Sequence, residues 1–270
     1  MNRWLSRRSL LLAGSALFSP GFGIRGLADA SQGQGSTEEG IAATFPTQDP
    51  DLVREVVAVS HGNFKRLKEL VDRRPTLSLA TWDWGFGDWE TALGAASHVG
   101  NRDIAEYLIA NGARPTIFSA AMLGQVDVVT AFVAASPGVQ RIHGPHGITL
   151  MAHAKAGAER AKPVVAYLEK LGDADPRLES TALTDAELDA FVGTYSYGSG
   201  LTQQIIIDGA KGQLGFQRAS ATKRGLSQRA PGEFSPAGAP GVRIKFAIEG
   251  QRAVRLTVHD PDLVLTAHRL

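Results

Sequence analysis

The stretch ETALGAASHVGNRDIAEYLIANGA, Glu90 to Ala113, decides the fold. It has the spacing of two short antiparallel helices. A first helix of small residues ends at a Gly, an amphipathic second helix carries Ile104, Leu108 and Ile109 on one side, and Asn-Gly stops it. The pattern recurs. Aligned on the Gly after each small-residue helix, Gly62, Gly100, Gly124 and Gly157 fall into register, at intervals of 38, 24 and 33 residues. Small residues hold a matching place before the Gly: Ala58, Ala96 and Ala120, with Ala152 and Ala154 flanking the slot in the fourth copy. A second apolar-periodic run follows each time, as in NFKRLKELVDRR and QVDVVTAFVAAS. Alanine lets first helices approach closely, and Gly permits a left-handed turn between helices. One such pair cannot bury its apolar face alone, so the copies must stack.

The second copy carries Thr91, Leu93, Ala96, Gly100, Leu108, Gly112 and Ala113 in the slots of an ankyrin repeat, and residues 49–175 resemble that family with about four repeats. The family's His beside the Leu is Gly94 here; the third copy starts at Pro115-Thr116 without the Leu, and Pro163 enters the second helix of the fourth. The resemblance implies an all-α array that binds proteins through loop tips and a concave helical face, and it implies no catalysis.

Downstream the period changes. Residues 176–193 read as a linker and a short helix, with Thr184 and Glu187 forming a capping box and the helix ending by Gly193. From there apolar residues alternate: LTQQIIID, KGQLGFQ, VRIKFAIE, RAVRLTVH and LVLTAHR are predicted strands, with tight turns at 208–212 and 249–251. SPAGAPG, 235–241, is a loop between strands. The fold class is therefore α+β, a helical repeat array followed by a small antiparallel half-barrel or barrel over 194–270. The run from Phe-Val-Gly-Thr-Tyr (191–195) to Val-Arg-Leu-Thr-Val (254–258) resembles the lipocalin-like domain appended to many exported penicillin-binding-type serine hydrolases. The hydrolase itself has no counterpart in this chain, so the resemblance transfers no activity.

The N-terminus gives the address. A basic start, an apolar run from Leu10 to Phe18 too short to span a bilayer, and Ala28-Asp29-Ala30 predict a signal peptide over 1–30, with cleavage before Ser31. Arg7-Arg8 resembles a twin-arginine signal, the general secretory route being the alternative. The protein is expected in the periplasm or outside a bacterial cell. A polar leader, disordered by composition, follows over 31–48. Without Arg3, Arg7, Arg8, Arg25 and Asp29 the chain keeps 24 basic and 26 acidic side chains. That near-neutral balance argues against nucleic acid and against an anionic membrane surface. The absence of Cys excludes disulfides, thiolate metal sites and a cysteine nucleophile.

Catalytic constellations are missing. Gly-x-Ser-x-Gly is absent after the signal, and the Gly run at 197–201 lacks the Lys and helix of a phosphate cradle. His143, His146 and His153 in HGPHGITLMAH read as loop or helix-capping residues, because their spacing supplies two ligands at most without a partner carboxylate. VHDPDL, with His259, Asp260 and Asp262, reads as a polar hairpin tip. No catalytic residue, metal or cofactor is expected.

The candidate site is LATWDWGFGDWE, Leu79 to Glu90, which lengthens the first interval and holds three of the chain's four Trp. Trp82, Trp84, Phe86, Asp88 and Trp89 are the candidate binding residues, an aromatic centre ringed by acids that suits a protein partner with a basic, partly apolar surface. The alternative is a cap folded back over the first repeat. The expected function is an exported module for protein–protein interaction, without stable membrane insertion. A binder of a small ligand or cell-wall fragment through the β-domain is the second reading. A wide apolar cavity in the sheet favours the second, and a filled interior the first.

Overall fold

The computed structural model describes residues 44–176, 182–219, 221–261 and 263–270. The expected signal peptide, residues 31–43 of the expected leader and residues 177–181 of the expected linker lie outside them. Thr44–Leu270 forms one compact unit.

The helical part consists, among the described residues, of four hairpins: α1 (Pro50–Val59) with α2 (Phe64–Arg73), α3 (Ala92–His98) with α4 (Arg102–Ala110), α5 (Ile117–Leu123) with α6 (Val126–Ala135), and α7 (Leu150–Ala156) with α8 (Lys162–Leu171). Side chains cap the exposed N–H groups of the first turns: Thr91 for α3, Asn101 for α4, Thr116 for α5 and Thr149 for α7. First helices stack on first helices, α1 on α3, α3 on α5 and α5 on α7. The small-residue slots explain the close stacking where they are buried, at Ala96, Ala120 and Ala154. Ala58 is different. It is exposed on α1, whose inward face is instead made by Val56 and Val57. Ala96→Leu is therefore expected to cost about 1–3 kcal/mol through overpacking between α3 and its neighbours. Thermal or urea unfolding measures it, and a neutral result would put Ala96 on the surface.

Between the first two hairpins runs a two-stranded ribbon, β1 (Thr81–Asp83) and β2 (Trp89–Thr91), pairing Thr81 with Thr91, Trp82 with Glu90 and Asp83 with Trp89.

The Thr184–Glu187 capping box forms, and starts α9 (Asp185–Phe191). Eight strands follow: β3 (Gly193–Ser196), β4 (Gln204–Ala210), β5 (Gln213–Arg218), β6 (Arg224–Ala230), β7 (Glu233–Pro236), β8 (Arg243–Glu249), β9 (Arg252–Asp260) and β10 (Leu263–Arg269). All neighbours are antiparallel, and β10 pairs with β3 through Arg269 and Tyr195, so the sheet is a closed barrel. Three strands, β3, β6 and β7, are not among those predicted from the sequence, and Ser235–Pro236 of the expected loop 235–241 belong to β7. The period of two is visible inside: Tyr195, Ile205, Ile207, Leu214, Phe216, Leu226, Phe234, Ile244, Phe246, Leu256 and Val258 are buried in one cluster. Leu188 and Phe191 of α9 join it, Phe191 meeting Phe234 and Phe246 at ring-centroid distances of 5.2 and 4.9 Å. Among the described residues, no helix is long and apolar enough to cross a membrane.

Candidate functional site between the helices and the barrel

The ribbon loop 84–88 is where the two halves of the unit meet. Gly85, Phe86 and Gly87 all take left-handed backbone, with φ of 107°, 60° and 73°. For Phe86, which has a Cβ, that conformation costs on the order of 1 kcal/mol or more. The turn swings its ring against Phe216 of β5, 5.5 Å between centroids, and into contact with the barrel core. Trp82 and Trp84, a few residues earlier, pack on the core of the helices. One loop thus touches both cores. Of its large rings only Trp89 is exposed, at 62%.

Asp88 is buried and joins three elements. It accepts hydrogen bonds from the backbone N–H of His146 at 2.8 Å, from His146 Nδ1 at 2.7 Å and from Nη1 of Arg224 on β6. Arg224 is itself buried and also donates to Ala237 O at 2.9 Å. Burial pushes the Asp88 carboxyl up, but the bonds from His146 and Arg224 outweigh it and hold the pKa down at about 2. Arg224 thus keeps an ionised partner.

Beside this pair lies Glu90, fully buried on β2. Trp84 Nε1 donates to its Oε2 at 2.6 Å. Three imidazoles surround it through their Nε2 atoms: His98, at the end of α3, lies 3.0 Å from Oε1; His146 lies 3.3 Å from Oε1; and His61, in the turn after α1, lies 3.6 Å from Oε2. One ligand-type atom from each of the four residues falls within 4.8 Å of every other. Here too burial raises the carboxyl, and the close approach of the His146 and His98 imidazoles more than offsets it, leaving Glu90 at about 2. The bond to Asp88 and the nearness of Glu90 push His146 up to about 9 against its burial.

Of the three histidines clustered in the sequence, only His146 belongs to this group. It reaches it from a tight loop, where it takes a φ of 60°. His143 hydrogen-bonds Pro176 O at 2.9 Å. His153 is buried on α7, its Nδ1 donating to Thr149 O at 2.9 Å, and burial presses it down to about 4, which keeps it neutral.

Several hollows border the site among the described residues. A cavity of about 350 Å³ at the barrel mouth is walled by Trp84, Phe86, Tyr197, Phe216, Arg224 and Leu265. A cleft of about 690 Å³ lies alongside His143, His146, Ser235 and Gly238.

The structure thus brings Trp84, Phe86 and Asp88 together with groups the sequence reading did not connect to them. These are His61, His98 and His146 from the helical half and Arg224 from the barrel, while Glu90 closes the same aromatic stretch. Their one sequence trace is positional: His61 and His98 both sit just before the repeat glycines, Gly62 and Gly100, so stacking brings them to one side. No family model and no curated protein matches this chain. The site is therefore read from its own geometry.

Proposed function

We propose that the protein is an exported binding protein, in which an ankyrin-type array is fused to a lipocalin-like barrel and a small ligand is held at the barrel mouth. The observation that carries this reading is the cavity of about 350 Å³ between the ribbon loop and the barrel. Eight-stranded barrels have interiors just wide enough to fill with side chains or to hold one small ligand. In this one the aromatic and aliphatic core fills most of the interior, which by itself favours a protein partner, and the ligand reading rests on the space left at the loop.

The lining suggests the ligand class. Phe86, Phe216, Ile205, Val258 and Leu265 offer apolar walls. Arg224 spends Nη1 on Asp88 and Ala237, while its Nη2 is buried without a hydrogen-bond partner among the described residues. A buried donor without an acceptor is costly, and a bound acceptor relieves that cost. A compact aromatic or acyl molecule bearing one carboxylate or sulfonate suits these walls. The ankyrin-type reading of residues 49–175 is supported by the motif of the second copy and by first helices stacking on first helices. Export is supported by the N-terminal thirty residues. The reading assigns no catalysis.

A second reading, a protein partner docked on the loop, is favoured by the exposed ring of Trp89. The two separate on one probe, 8-anilinonaphthalene-1-sulfonate, an aromatic anion whose fluorescence rises in apolar cavities. The folded protein is expected to bind it saturably at one site. Leu265→Trp, which fills the cavity, should weaken binding at least about tenfold, equivalent to ~1.4 kcal/mol, with the melting temperature kept. Absence of saturable binding, or equal binding by the filled variant, would overturn the mouth as the ligand site and leave the Trp89 reading.

A further inference from the structure

We propose that His61, Glu90, His98 and His146 form a binding site for a divalent first-row transition ion, zinc first among them, which clamps the turn of the first hairpin, strand β2, the end of α3 and the loop before α7 to one another. The inference goes beyond the barrel-mouth ligand and does not depend on it.

The donor set is the first argument. Three imidazoles and one carboxylate suit zinc and its neighbours, whereas magnesium and calcium prefer all-oxygen surroundings. Geometry is the second. Bonds of ~2.0–2.1 Å in a tetrahedron put ligand atoms about 3.3 Å apart. Glu90 Oε1 lies 3.0 and 3.3 Å from Nε2 of His98 and His146, close to that value, Oε2 lies 3.6 Å from Nε2 of His61, and one ligand-type atom from each residue falls within 4.8 Å of the others, so small side-chain shifts close the set around an ion.

The surroundings give a third argument. In metal sites the ring nitrogen that does not bind the ion donates to a carbonyl or carboxylate, which fixes the tautomer and aims the other nitrogen. His61 Nδ1 donates to Ala58 O at 3.0 Å and His146 Nδ1 to Asp88 Oδ2 at 2.7 Å, so in both rings Nε2 is the nitrogen turned to the group. Trp84 fixes the carboxylate from behind. Two atoms at the centre are left over. Glu90 Oε1, on a side chain with no exposure, and His98 Nε2 are both buried and make no hydrogen bond, although they face each other at 3.0 Å. A cation between them satisfies both.

The ligands come from separate places: the turn after α1, strand β2, the end of α3 and the loop before α7. An ion there ties these segments together, and through Asp88 and Arg224 it steadies the loop against the barrel. Four protein ligands fill a tetrahedron, which is the pattern of a structural site and not of a catalytic one with an open position. Access is provided at His61, whose side chain is 32% exposed beside a cleft of about 410 Å³, and at His146, 30% exposed.

The test uses the full chain freed of metal with a chelator, titrated with zinc chloride by calorimetry and with cobalt(II) by visible absorption. One equivalent of zinc should bind, raise the melting temperature and lose that gain on adding chelator. Cobalt should give the intense bands of a tetrahedral nitrogen–oxygen site. His61→Ala, at the partly exposed ligand, is expected to fold, to weaken zinc binding at least tenfold and to change the cobalt spectrum. His143→Ala, outside the cluster, should leave both unchanged. Folded wild-type protein that takes up neither ion, or zinc binding that His61→Ala leaves untouched, would overturn the site and identify the cluster as an ion-pair network only.

Discussion

Asp88→Ala is expected to lower the stability of the protein by about 3–5 kcal/mol, because it strips the partner from a buried guanidinium. Arg224 stays in place on β6 at 6% exposure, with Ala237 O as its remaining acceptor. The same change frees His146 from both of its Asp88 bonds. Domains of this size have about 5–15 kcal/mol in all, so the loss should be obvious in urea unfolding run with chelator present. The exposed pair Lys68–Asp72, with Nζ and Oδ2 at 2.7 Å and both side chains more than half accessible, is the internal contrast. Asp72→Ala should cost no more than about 1–2 kcal/mol, since solvent screens such pairs and the other bond lost is one exposed hydrogen bond, from Tyr107 OH to Oδ1 at 2.6 Å. A small loss at Asp88 would mean that the loop and the barrel are not joined through this ion pair.

The second large effect falls on the repeat glycines. Gly124→Ala should cost about 2–4 kcal/mol, combining two penalties. Gly124 has a φ of +78°, which an L side chain rarely adopts, and an added Cβ would sit 2.2 Å from Arg160 O, a backbone atom that cannot step aside. Gly62→Ala, at the corresponding place in the first hairpin, meets nothing within 4 Å and has no positive φ. Its effect should be within about half a kcal/mol. Equal losses at the two positions would contradict the packing of the turn after α5 against the segment before α8.

These glycines also show what the sequence could and could not disclose. Their spacing was enough to locate the hairpins, because a turn between close-packed helices selects Gly wherever the chain meets it. It could not separate Gly62 from Gly124, since the difference lies in a neighbour 36 residues further on. In the barrel, β4, β5, β8 and β9 were legible because inward positions are mainly Ile, Leu, Phe or Val in alternation, and β10 because Leu265 and Ala267 alternate with polar residues. β6 hid behind Arg224. An inward-facing charge stands where the alternation requires an apolar residue, and Gly225 and Ser227 beside it have no strand preference. That breach of pattern was itself a mark of the site.

The site was legible only in its aromatic half. Trp82, Trp84, Phe86, Asp88 and Trp89 stand out as a dense local cluster, and the structure shows Phe86 and Asp88 turned inward to the barrel and to Arg224. The polar half has no local signature. Apart from Glu90, which closes the aromatic stretch, its members His61, His98 and His146 lie 37 and 48 positions apart, and each taken alone looks like a turn or cap residue. Only stacking of the hairpins makes them neighbours. The near spacing of His143, His146 and His153 says nothing of this group, because a helix and a tight loop point those three rings to different surroundings.

The central claim, a small-ligand site at the barrel mouth closed by the ribbon loop, is tested most directly by methyl-labelled nuclear magnetic resonance of the protein with bound 8-anilinonaphthalene-1-sulfonate. Intermolecular Overhauser contacts from the ligand rings are expected to Ile205, Val258 and Leu265, which line that cavity. Contacts confined to exposed methyls elsewhere, such as Val128 or Ile142, would contradict it.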